Sequence, residues 1–199
     1  MPRPLSPYPV IHLPEQYTVL SFTDGYNARK MREFIKKGGW GVGGYLEKRP
    51  GMYLAPQYEN RRNIHMGIDI WAPAGEPVYA PLDGTVAYTA NHNEEGNYGT
   101  TVVLKHFLAN HQRDIFALYG HLSVGTLERL DQGHFLERGN LVGWLGVETE
   151  NGNWPPHLHY QLSWHDPGKA DMPGVVSDEE LSEAKKLYPD PRIILGDIY

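Results

Sequence analysis

Two stretches of the chain combine residue types and spacings that could do chemistry: "IHMGIDIWAP", starting at Ile64, and "NWPPHLHYQLSW", residues 153–164. In the first, strand alternation puts His65, Gly67 and Asp69 on one face and Ile64, Met66, Ile68 and Ile70 on the other. In an ideal strand His65 and Asp69 stand about 13 Å apart at roughly 3.3 Å per residue, so sharing an ion requires a bend, and Gly67 sits where a kink is permitted. In the second stretch His157, His159, Gln161 and Ser163 share one face, and Leu158, Tyr160, Leu162 and Trp164 the other. The two histidines point the same way about 6.6 Å apart, so one can bind a metal while its neighbour faces a substrate. A third segment, "LYGHLS", adds His121 at the end of a predicted strand. Two histidines and one carboxylate around zinc, with the fourth position left to water, make a catalytic pattern, because the open position lets the ion lower the pKa of water towards neutrality. Two further histidines would supply proton transfer and oxyanion stabilisation.

These residues need elements that hold them. From Ile64 to Trp164 short alternating segments are separated by glycine or proline, as in "PVYA", "GTVAYTA", "TTVVLKH", "DIFALYGHL", "NLVGWLG" and "HLHYQLSW". The pattern predicts a mainly β, antiparallel domain over residues 61–166. Residues 1–60 read as an N-terminal extension. Its first 23 residues are proline-spaced and extended along a surface, and "DGYNARKMREFIKKGG" forms a short helix with Met31, Phe34 and Ile35 as its apolar stripe and Gly38 as its stop. The following run, "GWGVGGYLEKRPGMYLAPQYENRR", is too glycine-rich for a regular element. Residues 167–199 read as a C-terminal extension, with Ser177 and Glu180 forming a capping box over "DEELSEAKKL" and Pro189 ending that helix.

Composition narrows the classes. With 199 residues, 40% of them hydrophobic, 22 glycines and 16 prolines, the chain can bury a core without staples and has the loop content of many short strands. A formal net charge of -6 and no basic stripe argue against a nucleic-acid surface. The absence of cysteine removes thiolate ligands and nucleophiles, so a metal must be held by histidine and carboxylate. No stretch approaches the roughly 18 apolar residues of a membrane span, and prolines interrupt the N-terminus where a signal peptide needs a helical apolar run. The chain as written reads as soluble and cytoplasmic, with a periplasmic or extracellular place left open. His12, His92, His106, His111, His134 and His165 lack partners at ligand spacing and read as structural or exposed. Trp154, Tyr98 and Trp71 are candidate groove walls, although large aromatics in a β domain are more often core or rim.

The ordered set "HMGID", "PAGEPVYAPLDGTV", "LYGHLS", "RGNLVGWLG" and "PPHLHYQLS" resembles the zinc metallopeptidase family of lysostaphin and LytM, the endopeptidases of glycyl-glycine and peptidoglycan cross-bridges. The resemblance covers about residues 64–164. It implies an antiparallel sheet with an open groove, zinc as cofactor, His65, Asp69 and His159 as the metal ligands, and His121 and His157 as the catalytic histidines. Family members that act as activators often lack some of these residues, and this chain has all five. The implied function is a zinc-dependent metalloendopeptidase acting on a peptide or peptidoglycan-like substrate. The form "WPPHLH", with "DMPGVV" and "YPDPRIILG" downstream, also resembles the peptidase-like domain fused to some class-III aminotransferases. That second resemblance, and the long extensions, keep two alternatives open: a non-catalytic metal-binding regulatory or interaction domain, and a zinc amidohydrolase of a small cytosolic amide. Oligomeric state is not legible.

Overall fold

The short alternating segments do become strands. The structure, a computed structural model, describes residues 6–59 and 61–199; the first part of the proline-spaced stretch, residues 1–5, lies outside the described residues. In chain order the strands are β1 (Thr18–Val19), β2 (Gly41–Gly43), β3 (Ile64–His65), β4 (Ile68–Trp71), β5 (Pro77–Tyr79), β6 (Gly84–His92), β7 (Gly99–Leu108), β8 (Arg113–Leu122), β9 (Phe135–Leu136), β10 (Leu141–Trp144), β11 (His157–Ser163) and β12 (Val175–Val176). Eight of them form one sheet in the order β1-β2-β4-β11-β8-β7-β6-β9, antiparallel except for the β1–β2 pair. Two small antiparallel sheets, β10-β5 and β12-β3, complete the fold.

The central strands are buried on both faces, β4 and β11 along their whole length and β7 and β8 over most of theirs. Ile68, Ile70, Val102, Leu104, Ile115, Ala117, Leu158 and Leu162 make the main core on one side. Val10 and Ile11 join it, with the Val10 carbonyl accepting from the Tyr79 amide at 2.8 Å. The described part of the proline-spaced N-terminal stretch runs largely exposed along the surface, with Val10 and Ile11 turned into the core. Its prolines keep it extended, and Val10 and Ile11 pack beside β5.

Helix α1 (Ala28–Lys36) starts at Asn27, whose side chain accepts from the Lys30 amide at 3.0 Å, and it buries Met31 and Ile35 as the stripe requires. Gly38 adopts a left-handed φ of 80° just past its end. The glycine-rich run that follows does hold a regular element, β2, because Gly41 and Gly43 have no side chains to collide with Leu20, which directly follows β1. At the other end, the Ser177 and Glu180 side chains exchange hydrogen bonds with each other's amides at 3.3 and 2.9 Å, the reciprocal capping expected. Helix α2 nevertheless spans only Leu181–Leu187, with a turn over residues 178–180, and a last short helix α3 covers Arg192–Leu195. Among the described residues no helix is long and apolar enough to cross a membrane.

Candidate metal centre

The bend expected between His65 and Asp69 is present. Strand β3 pairs with β12, whereas β4, two residues later, pairs with β2 and β11 in the main sheet, so the chain leaves one sheet and enters another across Met66 and Gly67. Gly67 also answers a second demand: a Cβ there would lie 2.6 Å from His159 Cε1, so the residue makes room for the imidazole. Register does the rest. His159 stands directly opposite Asp69 across the β11–β4 ladder, and His157 opposite Trp71.

The result is a buried cluster of His65, Asp69 and His159. His65 Nε2 lies 2.9 Å from His159 Nδ1, and Asp69 Oδ1 lies 3.2 Å from the first nitrogen and 3.1 Å from the second. The outer nitrogens of both rings are already spoken for. His65 Nδ1 donates to the Gly44 carbonyl at 2.9 Å, and His159 Nε2 donates to Gln161 Oε1 at 3.0 Å. The Gln161 amide is itself oriented by donating from Nε2 to the Pro173 carbonyl at 3.3 Å. Each neutral imidazole carries one N–H, so both inner nitrogens are bare lone pairs. Three acceptors therefore converge, with no proton among them. Tetrahedral zinc with bonds of about 2.0–2.1 Å separates its ligand atoms by roughly 3.3 Å, and the donor set of this cluster fits such an ion.

Charge and burial agree with a cation site. Burial opposes ionisation of Asp69, but the Arg49 guanidinium beside it helps to hold the carboxyl well below the usual carboxylate range. Burial brings His65 down to about 4, aided by Arg49. Its ring is thus neutral near pH 7, as a metal ligand must be.

His157 and His121 stand beside this cluster. His157 Nδ1 donates to the Pro155 carbonyl at 2.7 Å, and its Nε2 faces inwards, 3.9 Å from Asp69 Oδ1. His121 Nδ1 donates to the Asn151 carbonyl at 3.0 Å, and its backbone takes a left-handed φ of 64° at the end of β8. A non-glycine residue held there is an uncommon, over-determined conformation of the kind that collects at functional sites. The His157 ring is sandwiched: Trp71 stacks on it with centroids 4.0 Å apart and planes at 18°, and His121 lies over it at 4.1 Å. Burial lowers His157 to about 4 and His121 well below the usual histidine value.

All five residues line one cavity of about 350 Å³. Tyr98 and Trp154 line it too, and Trp71 does not: it is fully buried beneath His157, where it supports the ring. Of the remaining histidines, His106 is buried with Nδ1 donating to the Asp83 carbonyl at 3.0 Å, and the others are exposed or half-buried, all outside the cluster. The residues that the sequence did not single out are those holding the candidate ligands in place. Arg49, Glu47 and Gly44 sit in an irregular stretch with no periodicity to mark them, and Asn151 acts through its carbonyl, which any residue type would offer.

Known proteins resemble this chain. It is 31% identical over 123 residues to the DD-carboxypeptidase/endopeptidase Mpg of Neisseria meningitidis, an alignment that covers 62% of this chain and 25% of that protein. An uncharacterized metalloprotease of Haemophilus influenzae is 31% identical over 162 residues, 75% of this chain and 31% of that protein. The peptidoglycan DD-endopeptidase ShyA of Vibrio cholerae is 37% identical over 98 residues, 49% of this chain and 20% of that protein. The chain thus spans about a quarter of the length of these curated relatives. Among solved structures, the catalytic domain of lysostaphin from Staphylococcus simulans superposes with a TM-score of 0.48 at 18% identity, covering 80% of this chain and 98% of that one. The profile of peptidase family M23 matches residues 63–171, more than half the chain and all five motif segments, and the protein is a member of that family.

Proposed function

We propose that this chain is a zinc-dependent hydrolase of peptide amide bonds, with His65, Asp69 and His159 as the ligands of the ion and a cross-bridge or glycine-rich peptide as substrate. The single observation that carries the reading is the convergence of three proton-free donor atoms, each about 3 Å from the others, in a cavity that two more histidines enter. A zinc ion held there supplies Lewis-acid polarisation of a carbonyl and a lowered pKa for water.

The rest of the chemistry belongs to the chain's own side chains. His157 is neutral near pH 7, gives its only N–H to Pro155, and turns a lone pair at Nε2 towards the reacting region, so it is the general base that takes the proton of the attacking water. His121 has the same form, with its N–H on Asn151. A neutral ring in that state accepts and does not donate, so His121 steadies a developing oxyanion only as the imidazolium, with a proton drawn from solvent, while the proton that His157 takes from the water passes to the leaving amine as the C–N bond breaks.

The test is metal analysis of the purified protein, then turnover of a peptide and amide panel before and after chelation. Near-stoichiometric zinc, activity lost on chelation and restored by zinc, and loss of both metal and activity in His159→Ala are expected. A His159→Ala protein that keeps full zinc occupancy and full activity would refute the ligand assignment. A second reading, a short peptide or small amide as substrate, draws support from the cavity walls, where Tyr53 and Tyr58 from the N-terminal extension and Met172–Val175 from the C-terminal segment bound the space. Turnover that falls steadily with peptide length favours it.

A further inference from the structure

The carboxylate of Asp69 is divided between two tasks. Its Oδ1 faces the two histidine nitrogens, and its Oδ2 accepts from Arg49 NH1 at 2.6 Å. Arg49 is only 1% exposed, so the pair is withdrawn from water. A buried guanidinium is costly unless its donors find partners, and here Nε and NH1 do. Its Nε meets Glu47 Oε2 at 2.7 Å, its NH1 reaches the Tyr53 hydroxyl at 3.0 Å, and its plane lies 5.2 Å from the centre of the Phe22 ring. Glu47 is anchored in turn, accepting the Phe22 amide on Oε1 at 2.8 Å. A few residues upstream, the Gly44 carbonyl takes the Nδ1 proton of His65. One short stretch, residues 44–53, therefore orients two of the three ligands. It lies wholly outside the family match over residues 63–171.

We infer that Arg49 is a positioning residue of the metal centre: by holding Asp69 Oδ2 it presents Oδ1 alone to the ion, keeps the carboxylate from turning to bind through both oxygens, and so leaves the fourth coordination position open. The inference rests on reading His65, Asp69 and His159 as metal ligands. The guanidinium suits this task because its rigid fork can serve Asp69 and Glu47 together, whereas a lysine ammonium in the same place reaches one of them or the other. Supports of this kind behind metal ligands govern both affinity and geometry.

Two variants test it: Arg49→Lys, and Arg49→Met combined with Glu47→Gln, which removes the buried charges as a pair and leaves no orphaned carboxylate at Glu47. Folding is checked by near-ultraviolet circular dichroism. Zinc affinity is measured against a chelating indicator, and the visible absorption of the cobalt(II)-loaded protein reports ligand geometry without reference to turnover. The expected result is zinc binding about 10- to 100-fold weaker in the folded variants, with altered cobalt bands. A purely structural Arg49 would lower thermal stability and leave both readouts in place. Folded variants that bind zinc within about twofold of wild type and keep its cobalt spectrum overturn the inference. Wild-type protein that takes up neither ion overturns the metal reading itself, a result distinct from wild-type binding that the substitutions leave unchanged.

Discussion

At the residue scale the site divides into atoms that face inwards and atoms that hold them there. His159 and His157 began as neighbours on one face of a strand, and their hydrogen bonds set them apart: His159 donates from Nε2 and offers Nδ1 to the cluster, whereas His157 donates from Nδ1 and offers Nε2. The same residue type thus takes two roles, chosen by which nitrogen its partner occupies. The division predicts different losses. His157→Ala is expected to keep zinc at the wild-type level by metal analysis and to lower turnover about a hundred- to ten-thousand-fold, the usual contribution of a positioned base. His159→Ala loses the metal as well. Equal zinc loss in both variants would mean that His157 is a ligand.

At the element scale the proposed ligands come from strands that belong to different sheets. Strand β3 carries His65 and is held by β12, while β4 and β11 carry Asp69 and His159 in register within the main sheet. Helix α1 acts from outside this frame. Arg32 on its surface bonds Glu148 at 2.7 Å and the Asn153 carbonyl at 3.3 Å, the turn that leads into Trp154 and the histidine strand. These contacts are exposed, so their energy is small, and the helix is held chiefly by its cap and by Met31 and Ile35. Asn27→Ala, which removes the cap, is expected to cost about 1 kcal/mol in denaturant unfolding while leaving zinc affinity unchanged. A matching fall in zinc affinity would show that α1 reaches the metal centre.

At the scale of the whole molecule, the site places several ionisable groups in the interior, and this couples folding to pH. The folded-state values of His65 and His157 are depressed to about 4 by burial, and those of His121 and the distant His106 are also lowered. The unfolded chain therefore binds more protons than the folded one between pH about 6.5 and about 4, so the stability of these neutral histidines is present above that window and lost as pH falls through it. Thermal unfolding of the metal-free protein should show a melting temperature that drops on acidification from pH 7 to pH 5, and added zinc should raise it at pH 7 by preferential binding to the folded state. A flat profile across that range would contradict the burial of these rings. Much of this molecule was legible in its residues. Period-two alternation marked the strands, the spacing of His65, Asp69, His157 and His159 marked the chemistry, and Gly38, Ser177 and Glu180 lay where caps belong, because each of these depends on neighbours along the chain. What required the folded structure were the contacts made between segments far apart in sequence. Val10 and Ile11 enter the core, Trp71 lies beneath His157 and not in the cavity wall, and Arg49 reaches Asp69 from an irregular stretch, since none of these pairings leaves a period or a motif behind. Local order in the chain determines which side chains share a face, and only the closing of one segment on another decides which nitrogen, oxygen or ring each of them meets.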